Sequence, residues 1–173
     1  MGGSGRSGHG VRSAFAYLCD PRTTSVTRAS LQRVADVPGV LTSAANHLRV
    51  AKRLAPRRGA SLRERLGRPD DRLVFVIGSP RSGTTFLAGA IGSLPGFLDL
   101  GEVAAVKAAV PELVEVDHAV AARRLRRTLG IARRVGLVGS VRAVEQTPEL
   151  AHLVQAIPLA FPRATIVHIV RDG

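Results

Sequence analysis

The sequence predicts an α/β domain over residues 73–173, a parallel sheet with flanking helices. Residues 73–77 and 165–170 are short, continuous apolar runs rich in β-branched side chains, the pattern of strands covered on both faces. Stretches of helical spacing alternate with such runs, the order that builds parallel sheets. The first run also enters a glycine-containing turn, Gly78 to Gly83, that opens directly into a helix.

The elements follow in chain order. Ser82 or Gly83 starts a helix in which Phe86, Leu87, Ala90, Ile91 and Leu94 recur at helical spacing, and Pro95-Gly96 stops it. Residues 97–100 are expected as a short second strand, 102–109 as a helix, and 117–135 as a longer helix. Residues 141–145 read as a strand. Thr147-Pro148 then makes a helix start, with threonine as the cap and proline in the first position. Leu150, Leu153, Val154, Ile157 and Phe161 mark one face of that helix, and Pro158 should kink or shorten its last turns. The run 165–170 leads straight into Arg171-Asp172-Gly173.

Residues 1–72 read differently. The first ten are rich in Gly and Ser and are expected to be flexible. Short helices are expected from Ser30 and from Thr42 or Ser43. Arg57, Arg58, Arg63, Arg65 and Arg68 form a basic linker ending at Pro69-Asp70-Asp71. No chemistry can be named there.

Composition narrows the function classes. A length of 173 residues suffices for one domain with a core. Aromatic residues make up only 3%, which weakens any reading that needs stacking platforms for single-stranded nucleic acid. The net charge of +12 is concentrated in residues 1–72, with 14 Lys+Arg against 5 Asp+Glu. Residues 73–173 carry 11 against 8. Nearly all of the positive charge is arginine, a bias that genome composition can produce as readily as function. Such a chain attracts anions of many kinds, and charge alone does not choose among them. Cys19 is the only cysteine, so an intramolecular disulfide and a four-cysteine zinc site are excluded, and the five histidines show no metal-ligand spacing. The first residues lack the apolar core of a secretory signal, and no apolar run reaches membrane-spanning length, so a cytoplasmic protein without membrane partners is expected.

Residues 74–85, VFVIGSPRSGTT, carry the chemistry. In a strand–turn–helix, backbone N–H groups converge on one point and the helix N-terminus adds unpaired donors and the positive end of its dipole. Gly78 and Gly83 allow a tight path and close approach of an anion. Their spacing agrees with the phosphate loop G-x-x-x-x-G-K-[ST]. The next residue does not, because Thr84 stands where that motif has lysine and the cation is instead Arg81. An ATPase or GTPase thereby loses its β/γ-phosphate lysine. The bland alternative is a glycine turn without a ligand.

Pro80-Arg81-Ser82-Gly83-Thr84-Thr85 resembles the 5′-phosphosulfate loop of the PAPS-dependent sulfotransferases, P-[KR]-S-G-T-[TS]. It is most similar to the branch with arginine in the loop, which includes tyrosylprotein and many bacterial sulfotransferases. PAPS is 3′-phosphoadenosine 5′-phosphosulfate, the sulfuryl donor. Glu145-Gln146-Thr147-Pro148, Phe161-Pro162-Arg163-Ala164 and Ile169-Val170-Arg171-Asp172 resemble that family's E-K-T-P, F-P-x-A and V-R-D-P succession. Gln146 replaces the usual lysine, and Gly173 replaces the last proline. The resemblance implies a P-loop NTPase-like sulfotransferase fold. It also implies that Pro80, Arg81, Ser82, Gly83, Thr84 and Thr85 bind the donor's 5′ end, and that Arg171 binds its 3′-phosphate. It covers residues 73–173 and only the N-terminal part of the family domain. The family continues with a serine on the 3′-phosphate and with segments over the adenine, so the domain is expected to be truncated at its C-terminus.

The reaction so implied is transfer of a sulfuryl group from PAPS to an acceptor hydroxyl or amine, with no metal required. Arg81 would stabilise the leaving oxygen, and Thr84 and Thr85 would donate to the 5′-phosphate. Glu102, in Gly101-Glu102, resembles the glutamate that deprotonates the acceptor in the tyrosylprotein branch. It is equally a helix-N-terminal glutamate favoured by the dipole. Glu145 is a weaker candidate base. His152 and His168 read as structural, His168 as a core histidine inside a buried strand. Arg123, Arg124, Arg126, Arg127, Arg133 and Arg134 lie on one helix, where such a run is a solvated face or a surface for acidic acceptors or nucleic acid. The alternatives are a variant P-loop kinase or ATPase, a non-catalytic binding fragment, and a basic nucleic-acid binder. The acceptor and the oligomeric state stay open.

Overall fold

The computed structural model describes Gly67, residues 71–136 and residues 138–171. The expected helices at Ser30 and at Thr42 or Ser43, the basic linker apart from Gly67 and Asp71, and Asp172-Gly173 lie outside the described residues. The elements run β1 (Val74–Gly78), α1 (Thr84–Gly92), β2 (Phe97–Gly101), α2 (Ala104–Leu113), α3 (His118–Val135), β3 (Arg142–Glu145), a 3₁₀ helix (Pro148–Leu153), α4 (Ala156–Ala160) and β4 (Thr165–Ile169). The four strands form one parallel sheet in the order β2-β3-β1-β4. The expected α/β architecture is present, with helices on both faces.

Alternation along the strands divides the core. Phe75 and Ile77 of β1 and Ala143 of β3 face α2, α3, the 3₁₀ helix and α4, in a cluster with Val106, Leu125, Leu129, Leu150 and Ile157. Burying a leucine such as Leu125 or Leu129 contributes about 1.5–3 kcal/mol, so this face holds most of the apolar stabilisation. Val76 and Val144 face the other way and meet Ala88 of α1.

Helix α1 corrects a sequence expectation. Its large apolar residues do not form the covered face: Phe86 is 83% exposed and Leu94 52%, whereas Thr84, Ala88 and Gly92 are buried. Small residues let the helix lie close to the sheet. A Cβ on Gly92 would stand 2.5 Å from Asp99 Cβ and 2.7 Å from the Asp99 nitrogen, so only glycine fits there.

Three further expectations change. Strand β4 pairs with β1 alone among the described strands, and its side chains are exposed or half-buried, so it is an edge strand. His168 is therefore an exposed residue and not a core histidine; a β-branched run does not distinguish edge from centre. Thr147 does not cap with its side chain, and the segment after it is a 3₁₀ helix followed by the short α4, which contains Pro158. The arginine run on α3 is not wholly solvated. Arg133 is 1% exposed, and its Nη2 donates to Gly139 O at 2.7 Å and Val141 O at 2.6 Å, pinning the turn before β3. Arg126 holds Asp71 at 2.8 Å, donates to Ala160 O and lies over the Phe161 ring. Asp117 caps α3 as its residue type predicts, accepting from the Ala119 N–H at 2.8 Å.

Candidate functional site

In an open parallel sheet, ligands collect beyond the carboxyl ends of strands, where connections diverge to opposite faces. Here β1 leaves through α1 on one face, while β3 reaches β4 through the 3₁₀ helix and α4 on the other. The point of divergence lies at Gly78, the residue that ends β1 and begins the loop.

Ser79 to Ser82 is a β-turn closed by the Ser82 N–H on Ser79 O at 3.1 Å. Proline at its second position suits the fixed φ required there. The third position, Arg81, has φ 69°, the left-handed value that a type II turn needs and that glycine or asparagine normally supplies. Among the described residues Arg81 is the only non-glycine with positive φ. Gly83 follows at φ 100°, while Ser82 and Thr84 are not positive. The sign of φ thus alternates over four residues, which turns successive N–H groups towards a common concavity.

The helix behind the loop leaves its donors open. The first intrahelical bond runs from the Leu87 N–H to Gly83 O at 3.0 Å, so the N–H groups of Gly83, Thr84, Thr85 and Phe86 find no partner inside α1. No side chain caps this end, and its first turn contains no acidic residue. Nothing on the helix offsets the positive end of the dipole, which suits an anion. Ser82 Oγ is buried without a hydrogen-bond partner. Gly78 has a different use from the one its motif suggests. A Cβ there would lie 2.7 Å from Ile169 O and 2.8 Å from Ser82 Oγ, so this glycine admits β4 and the loop serine.

The expected binding residues fall as follows. Pro80, Arg81, Gly83 and Thr85 are exposed, and Ser82 is half-buried. Thr84 is buried with its methyl towards Gly78. Arg171 lies just past β4, and its Nη1 donates to Arg81 O at 3.3 Å. The fold therefore joins the two ends of the described domain, 90 residues apart, at one loop.

Glu102 lies past the end of β2 in an ion pair with Lys107 at 2.7 Å, and Lys107 also meets Glu149 at 3.2 Å. Burial alone would lower the Lys107 pKa, but hydrogen bonds and charges from the two glutamates outweigh it and the value is raised. Next to this cluster, Glu145 is fully buried at the end of β3. It accepts from the Thr147 hydroxyl, from the Thr147 N–H at 3.0 Å and from the Val103 N–H at 3.4 Å. Burial pushes its carboxyl up to about 7, and the Thr147 and Val103 hydrogen bonds offset only part of that shift. The Val103 N–H also meets Thr147 Oγ1 at 3.2 Å. Glu145 and Thr147 thus cap α2 from a neighbouring strand. Lys107 and Thr147 were not legible as parts of this cluster; the available signal was a glutamate closing a strand that reads as buried. His152 is exposed.

Among the described residues no group of His, Cys, Asp and Glu side chains could hold a metal ion, and no helix is long and apolar enough to cross a membrane. Comparison with family models, curated proteins and solved structures finds no match to the chain.

Proposed function

We propose that the loop at residues 78–85 binds the 5′-phosphosulfate of PAPS and that the domain belongs to a sulfotransferase. The observation that carries this reading is the Arg81 backbone. A turn position that favours glycine is filled by a guanidinium, beside unpaired helix N–H groups and within reach of Arg171. Backbone strain held at a charged loop residue accords with a functional demand on that side chain.

The residues fit the donor's chemistry. Loop N–H groups and the Ser82 hydroxyl supply hydrogen bonds to phosphate oxygens, and the forks of Arg81 and Arg171 can each donate two bonds to a phosphate. In the transfer, the acceptor oxygen or nitrogen forms a bond to sulfur while the sulfur–oxygen bond to the 5′-phosphate breaks. The leaving oxygen takes the electron pair, and Arg81 with the loop N–H groups stabilises its charge. Glu102 takes the acceptor's proton, and Glu149 retains Lys107 as Glu102 turns to the acceptor.

Calorimetric titration with adenosine 3′,5′-bisphosphate tests the reading. Saturable binding is expected from the wild type. Arg81→Ala should weaken it at least tenfold, since a hydrogen bond to a charged group contributes about 1.5–3 kcal/mol. No binding by the wild type at millimolar ligand refutes the proposal.

A further inference from the structure

We infer that Arg171 is a positioning residue for the anion loop: its guanidinium braces the Arg81 carbonyl and so holds the loop N–H groups in their converging arrangement. The inference rests on the loop's being an anion site, as proposed above, and adds a role for Arg171 that does not require contact with the ligand.

A left-handed non-glycine residue persists only where its surroundings enforce it. Around Arg81 the enforcing contacts are few. Ser82 N–H closes the turn on Ser79 O at 3.1 Å, and Leu87 N–H anchors Gly83 O at 3.0 Å. Between those two bonds, Arg171 Nη1 on Arg81 O at 3.3 Å is the only side-chain hydrogen bond to the loop's backbone among the described residues. The first of the two flanking bonds holds the Arg81–Ser82 peptide by its N–H alone. The Arg171 bond holds the same peptide by its carbonyl and so adds a second restraint on its rotation. The N–H groups of Gly83 and Thr84 follow directly on that peptide and find no partner inside α1, so losing the brace loosens the donors next to it.

Arg171 follows two residues after β4, whose register carries Ile169 beside Gly78. The close packing there, with Ile169 O only 2.7 Å from where a Gly78 Cβ would stand, fixes the distance between the brace and the loop. The brace is thus built on the β1–β4 pairing.

Pyrophosphate is the probe, because it presents only a 5′-type diphosphate and has no second end for Arg171 to hold. Affinity is measured calorimetrically for the wild type, Arg171→Ala, Arg171→Lys, Arg81→Gly and the double variant Arg81→Gly/Arg171→Ala. Arg171→Ala should bind pyrophosphate about threefold to tenfold more weakly, as loss of one hydrogen bond implies. Arg171→Lys should recover most of that loss, since a single donor suffices for a carbonyl. The urea midpoint of Arg171→Ala should equal that of the wild type, because the side chain is exposed. In the Arg81→Gly background the loop has no strain to restrain, and Arg171→Ala should change affinity less than twofold. Equal pyrophosphate affinity in wild type and Arg171→Ala overturns the brace. An equal loss in both backgrounds also overturns it, and points to direct contact with the anion. Failure of the wild type to bind pyrophosphate refutes the anion-site reading itself.

Discussion

Replacing Arg81 separately by alanine and by glycine isolates the backbone term at the loop. Arg81 is exposed, and both substitutions remove the same guanidinium, so the difference between them reports conformation alone. At φ 69° an L-residue pays roughly 1–2 kcal/mol that glycine does not. Glycine gives back about 0.5–1 kcal/mol through the greater freedom of its unfolded chain. Arg81→Gly should therefore be more stable than Arg81→Ala by about 0.5–1 kcal/mol. With a urea dependence of about 2 kcal/mol per molar, that is a midpoint higher by roughly 0.25–0.5 M. Gly83→Ala supplies the mirror experiment. No atom lies within 4 Å of the added Cβ, so any loss, expected at about 1–2 kcal/mol, comes from φ 100° and not from a clash. Equilibrium urea unfolding followed by far-UV circular dichroism measures all three. A glycine variant no more stable than the alanine variant would refute the left-handed assignment at Arg81 and, with it, the reason for thinking that the arginine is held there against a cost.

Glu145 makes stability depend on pH. Its folded carboxyl titrates at about 7 against an ordinary 4.5, so the native state keeps a proton that the unfolded chain releases. The resulting stability is fully present below 4.5 and is lost as pH rises through about 7, a change of roughly 3 kcal/mol at 1.36 kcal/mol per unit. Glu145→Gln should flatten this part of the profile, read as urea midpoints at pH 5 and pH 8; an unchanged slope would rule Glu145 out as its source. Arg133→Met should cost about 2–4 kcal/mol by leaving the carbonyls of Gly139 and Val141 without their donor, while bisphosphate affinity stays at the wild-type value. A loss of affinity equal to that of Arg81→Ala would place Arg133 in the site instead.

What the sequence discloses follows how local each signal is. The strand at 74–78, the break at Pro95-Gly96 and the long helix after Asp117 are set by short-range patterns, and the structure has them within a residue or two of the expected limits. The loop is legible because its requirements are local as well: a proline for the turn's second position, glycine where φ is positive, hydroxyls at the helix start. Burial is less legible where it depends on neighbours distant in sequence. An apolar run such as 165–170 looks the same at a sheet's edge as at its centre, so the pattern alone does not place His168. On α1 the hydrophobic spacing pointed to Phe86 and Leu94, but the demand for close approach selected Ala88 and Gly92. Arg133 belongs to a run whose other five arginines are exposed, and only the turn folded beneath it decides that it is buried.

The left-handed Arg81 is the one position in the loop where a local rule and the residue present disagree. Elsewhere between Gly78 and Thr84 positive φ falls only on a glycine, Gly83, so the disagreement is not a general laxity of the turn. Glycine or asparagine would make the same turn at lower cost. Strain of this kind is retained where the side chain contributes something the cheaper residue lacks. At Arg81 that would be a positive charge beside helix N–H groups that have no partner inside α1. Its carbonyl is simultaneously the acceptor for Arg171, two residues past the end of β4. On the same carboxyl edge, Glu145 and Thr147 clasp the start of α2 and fix the backbone beside Glu102. The cation and the candidate base thus stand on two separately anchored segments of one sheet edge.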